Sequence, residues 1–106
     1  MVRGTTPTHV FEGLPIVSSM IEQIWITYLQ AGAPVLTKNI DAVTFQDDSE
    51  HGTCSAQITL SQEETLLFVP GRARIQLRLL LKDGMALASC EVTTNVKRVL
   101  EDGIIT

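Results

Sequence analysis

Aromatic side chains are scarce: three Phe, one Trp and one Tyr among 106 residues. A core must therefore be built mainly from Leu, Ile, Val and Ala. Cysteine is rarer still. Cys54 and Cys90 are the whole thiol inventory, and no nearby Cys or His gives either one metal-ligand spacing. Reduced, buried thiols are the simpler reading than a disulfide. His9 and His51 fall in separate segments that read as exposed loops, without companions at ligand spacing. No glycine-rich phosphate loop occurs, and no Ser-His-Asp or Cys-His arrangement; both cysteines lie inside predicted strands, where a nucleophile is hard to reach. The apolar stretch near the start is short and broken by Glu12 and Pro15, so neither a signal peptide nor a membrane span is expected. A net charge of -4 gives no general attraction to nucleic acid or anionic lipid. The expectation is a protein with no catalytic residue, no cofactor and no metal.

The residues present describe strands. The length predicts one domain, and 44% hydrophobic residues are enough for a real core. Residues 1–8, with Gly4, Pro7 and several Thr, read as a flexible N-terminal arm. "HVFEG" (9–13) is a short strand, ended by Gly13 and Pro15. "MIEQIWITYLQ" (20–30) is rich in β-branched and aromatic residues and predicts a strand, with Trp25 expected in the core. "QAGAP" (30–34) is a turn; "VLTKNI" (35–40) and "AVTF" (42–45) are short strands; "QDDSEHG" (46–52) is a polar loop. From 53 to 60 the pattern alternates, with Cys54, Ala56, Ile58 and Leu60 on one face. The same alternation runs from 72 to 82, with Ile75, Leu77, Leu79 and Leu81 together. "KDG" (82–84) is a tight-turn signal, so "MALASCEV" (85–92) is the return strand, with Ala86, Ala88, Cys90 and Val92 on one face. Residues 96–106 read as a C-terminal arm.

Between the two alternating segments stands "LSQEETLLF" (60–68). Ser61 followed by Glu64, just ahead of Leu66, Leu67 and Phe68, matches a capping box. Glu63 suits the positive end of the same short helix. The adjacent acids are thus explained without chemistry, since neighbouring helix residues point about 100° apart and share no target. A short helix at 61–68 would let the chain cross between sheets, with Leu60 and Leu66 or Phe68 closing one end of the core.

Two charged groups are candidates for contact. Arg72, Arg74, Arg78 and Lys82 form a stripe on the outer face of one strand, suited to an acidic protein partner or to cross-strand pairing with Glu91. No aromatics are interleaved to stack bases, so nucleic acid is not expected. Asp47, Asp48 and Glu50 lack the ordered ligand spacing of calcium loops and read as a solvated loop. The apolar C-terminal residues Val99, Leu100, Ile104 and Ile105 are candidates to pack on a neighbour. Regular short strands with turns every ten residues or so predict an all-β, antiparallel Ig-like or jelly-roll β-sandwich of about seven strands.

The segments "RGTTPTHVFEGLP" (3–15), "ITYLQAGAPVLTK" (26–38), "LSQEETLLF" (60–68) and "IQLRLLLKDGMALAS" (75–89) together resemble a group of small prophage-encoded proteins of gut Firmicutes. In that group Thr-Thr-Pro-Thr-His precedes a strand, and a Tyr-x-Gln segment follows. A Leu-Thr-Gln-Glu-Glu-Thr-like turn comes next, then a hairpin closed on Asp-Gly. The likeness covers nearly the whole chain; here Ser61 replaces the more usual Thr, and the 46–52 loop is longer. The resemblance implies a phage structural or assembly protein of the tail or baseplate region. Such a protein acts by contact as a homo-oligomer or with other tail proteins, in the virion or in the host cytoplasm during assembly. The rival expectation is a carbohydrate- or small-ligand-binding sandwich, which calls for exposed aromatics.

Overall fold

The computed structural model describes residues 1–88 and 92–98. Among them eight strands and one α-helix follow in order: β1 (Thr8–Leu14), β2 (Ile21–Gln30), β3 (Ala33–Lys38), β4 (Val43–Asp48), β5 (Thr53–Thr59), α1 (Gln62–Leu66), β6 (Gly71–Leu81), β7 (Ala86–Ala88) and β8 (Val92–Val96). Two antiparallel sheets result. The smaller has the order β1-β5-β4; the larger has β3-β2-β6, with β7 and β8 sharing the far edge of the long strand β6. No described helix is long and apolar enough to cross a membrane.

Each sheet turns one face inward. From the smaller come Leu14, Cys54, Ala56 and Ile58; from the larger come Ile24, Ile26, Tyr28, Ala73, Ile75, Leu77 and Leu79. These form one core, so the molecule is an all-β sandwich. Period-2 alternation dictates the choice on β5 and β6, because every second residue of a strand meets the same neighbours. The hairpin joining β2 to β3 closes on two residues, Ala31 and Gly32, both with positive φ. That mirror-image turn matches the natural strand twist.

The crossing between sheets is made by α1, from the end of β5 to the start of β6. Ser61 accepts from the Glu64 N–H, and the Glu64 carboxylate accepts from the Ser61 N–H, so the capping box is complete. Leu60 and Phe68, on either side of the helix, are fully buried. Ser61→Ala should destabilise the fold by about 0.5–2 kcal/mol, measured as a shift in urea midpoint at unchanged slope.

Several elements differ from the sequence reading, each for a local reason. Residues 1–4 are anchored rather than loose. Val2 bridges Lys97, and Arg3 donates to the carbonyls of Phe68 (2.6 Å) and Leu66 (3.1 Å). The Gly4 N–H donates to Oγ1 of Thr65, and that hydroxyl, wholly buried, sits 2.9 Å from the carbonyl of Thr5. A cation on the last carbonyls of a helix completes its C-terminal end. The segment 46–52 is strand as far as Asp48, and only the turn at 49–52 is loop. The helix is shorter than 61–68 because Leu67 already serves as its C-cap.

On β7, Leu87 rather than Ala86 or Ala88 packs against the core, since it stands opposite Leu79 while its neighbours stand opposite Leu80 and Arg78. Val92 lies opposite Ile75 but is half exposed at the sheet edge. Val96, placed in the C-terminal arm by the sequence, is a buried strand residue. Cys90 and Glu91, and the apolar candidates Val99, Leu100, Ile104 and Ile105, lie outside the described residues.

Candidate interaction surface

The outer face of the larger sheet is built by the side chains that alternate with the core. Trp25 is on it, not in the core: Ile24, Ile26 and Tyr28 take the inward positions and leave the indole 38% exposed. A bulge at Glu22 and Gln23 sets this phase, because Ile21 and Ile24 are both inward although three residues apart. Trp25 stands directly opposite Arg78, and Arg78 stands opposite Ala88 on the next strand. Directly opposed residues keep their Cβ atoms about 5 Å apart, so the indole and the guanidinium share one patch. The same face carries Gln76, Leu80 and Arg74 along β6 and Thr27 and Leu29 along β2. Lys82, at the turn that follows, continues the stripe and is exposed. Of the predicted stripe Arg72, Arg74, Arg78 and Lys82, the register places Arg74 and Arg78 on this face, and Lys82 is exposed at the turn beyond it. Trp25 is the residue on it that sequence reasoning missed; Thr27, polar and two positions on, was the available signal.

The histidines behave differently from each other. His9 is on β1, half-buried, not in an exposed loop, and its Nδ1 is 2.6 Å from the Tyr28 hydroxyl. This contact joins the two sheets. Burial first, then the positive N-terminal amine, pull the His9 pKa below 6.5. Burial and the nearby Glu64 charge push the Tyr28 hydroxyl well up, so it stays a phenol. The unfolded chain therefore binds the His9 proton at higher pH than the folded chain does. The His9 contribution to stability should be constant above about pH 6.5 and decline as pH falls from there toward the folded value. His9→Leu should flatten that decline, as read from urea midpoints across this range.

Glu64 has the opposite sign. Burial would raise its pKa, but the Lys38 ammonium and the Ser61 N–H and hydroxyl more than offset this and hold it below 4.5. Its contribution is present above about pH 4.5 and is lost as pH falls through the folded value.

The acidic hairpin between β4 and β5 is regrouped relative to the sequence reading. Asp47 leaves the cluster: its carboxylate accepts from the Ser18 N–H (2.6 Å) and hydroxyl (2.7 Å), which hold its pKa down. Asp48, Glu50 and His51 remain at the tip, with one donor atom from each inside 4.8 Å of the others. All three are exposed, and His51 bonds Asp48 at 2.8 Å. Cys54, on β5, is buried and free, and burial followed by the Asp47 charge raises its pKa. A thiol held protonated inside a core is a poor nucleophile.

No family model, curated protein or solved structure matches the chain. The surfaces themselves must indicate function.

Proposed function

We propose that the protein is a non-enzymatic phage or prophage structural or assembly component of the tail or baseplate region, acting through protein–protein contact. The observation that carries this reading is the exposed Trp25 opposite Arg78 on a broad sheet face. Trp and Arg dominate binding hot spots because they combine large contact area with a specific polar reach. They stand here on a rigid central strand pair, flanked by small Ala88 and by Leu80, which suits a partner's flat surface. The resemblance of the segments 3–15, 26–38, 60–68 and 75–89 to prophage proteins points the same way, with the virion or the host cytoplasm during assembly as the proposed place of action.

Mass spectrometry of particles and assembly intermediates, purified after induction of the bacterium carrying the gene, tests it. The protein is expected in one or the other at stoichiometric level, and Trp25→Ala should reduce its incorporation. Absence from both would overturn the reading. Trp25 also carries the alternative, a carbohydrate- or small-ligand-binding module, since an exposed indole beside Arg78 and Gln23 can stack on a sugar ring. Trp25-dependent binding on a glycan array would favour that alternative.

A further inference from the structure

The antiparallel topology sorts charge to opposite ends of the molecule. At one end lie the turns after β4 and β6 and the start of β2. Glu12, Glu22, Asp47, Asp48, Glu50 and Asp83 gather there, with Lys82 as the one cation among the described residues. At the other end lie α1, the start of β6 and the end of β8. There Lys38 neutralises Glu64, and Arg3, Arg72, Arg74, Lys97 and Arg98 stand against Glu63 and Asp41.

Each end also exposes a pair of large apolar side chains. At the acidic end they are Met20 (40%) and Met85 (58%), both beside the β6–β7 turn, where Lys82 donates to the Met20 carbonyl and Leu81 to that of Met85. At the basic end they are Leu67 (59%) and Val69 (62%), where the chain leaves α1. Arg72 and Arg74, with Leu29 and the Ala31–Gly32 turn, line an open depression of about 270 Å³ at this end.

An apolar centre ringed by charge is the anatomy of a protein interface, and the two rims here have opposite signs. We infer that the acidic end of one copy docks on the basic end of the next, with Met20 and Met85 against Leu67 and Val69 and the Asp48–Glu50 turn entering the depression lined by Arg72 and Arg74. A second copy is the occupant because this chain itself carries the complement of each end. Pairing of like ends about a two-fold axis sets acid against acid or base against base, which is repulsive. The contact is therefore heterologous and propagates into a ring or an open filament. This rests on the reading that the protein works by contact, and it adds an end-to-end contact between copies to the Trp25–Arg78 face.

Light scattering at low and high salt, with two charge-reversed double variants, tests the inference. D48K/E50K blocks the acidic end and R72E/K97E the basic end; all four positions are exposed, and circular dichroism checks the fold of each. The wild type should assemble in a concentration-dependent way, at least about tenfold more weakly in high salt. Each variant alone should be monomeric, and an equimolar mixture should associate again, because the intact basic end of the first meets the intact acidic end of the second and the two reversed ends complement each other as well. A wild type that is monomeric at all salt concentrations overturns the inference. So does a dimer formed by either variant alone, or a mixture that does not associate. Those results leave the particle analysis untouched, so the failure of this contact and the failure of the phage reading are separable.

Discussion

Phe68→Ala should destabilise the protein by about 3–5 kcal/mol, in a domain where each kcal/mol moves Tm by about 4–8 °C. The ring is fully buried and meets the Tyr28 ring edge-on at a centroid distance of 5.7 Å. Its backbone carbonyl also receives the Arg3 guanidinium. Phe68 thus sits where the helix crossing, the central strand β2 and the anchored N-terminal segment meet. Truncation leaves a cavity that a rigid sheet cannot collapse to fill, and it removes the edge-on ring contact as well. Thermal unfolding followed by circular dichroism checks the size. A loss below about 1 kcal/mol would mean that this end of the sandwich is not packed as described.

The second large effect is a contrast within one strand. Leu77→Ala should cost about 2–5 kcal/mol, whereas Leu80→Ala should stay within about 1 kcal/mol. The two leucines are three residues apart on β6. Leu77 is 1% exposed and faces Ile26 across the ladder, in the core; Leu80 pairs with Gln23 and Ala86 on the outer face. A strand presents alternate residues to opposite sides, so the same chemical change differs only in what it uncovers. Equal losses at both sites, measured by urea unfolding, would contradict the assigned faces.

These two segments show why part of the fold was readable without coordinates. On β5 and β6 the alternation is strict over seven or more residues, and one face is apolar throughout, so register has a single good solution. The capping box at Ser61 and Glu64 is equally local, because all its hydrogen bonds lie within one turn. Trp25 was misread because its neighbours in "IWITY" all favour strand, and propensity does not say which alternate set turns inward. The bulge at Glu22 and Gln23 shifts the phase after Ile21, so counting from that residue misleads. Leu87 belongs to a strand of three residues, too short to show a period. The anchoring of Arg3 depends on carbonyls more than sixty positions away, and that of Asp47 on Ser18, 29 positions away. No local pattern announces such partners.

The candidate surface was legible in half. Even-numbered positions share a face by period alone, so Arg74 and Arg78 of β6 could be grouped from sequence with Lys82 just beyond it. Their pairing with an exposed indole required the register between β2 and β6. The sorting of acids and bases to opposite ends required the whole antiparallel order, since Glu12, Asp48 and Asp83 are far apart in the chain and meet only where three turns converge.

That register, with Ile24, Ile26 and Tyr28 inward and Trp25 outward, is the claim on which both the core and the contact surface depend. Trp25 is the sole tryptophan, so its fluorescence reports one position. Quenching by acrylamide and by iodide, at a concentration dilute enough for monomer, tests the claim most directly. The account predicts ready quenching by both, with iodide helped by the neighbouring Arg78. An indole shielded from both quenchers in the folded monomer would place it in the core, which reverses every residue of β2 and contradicts the account.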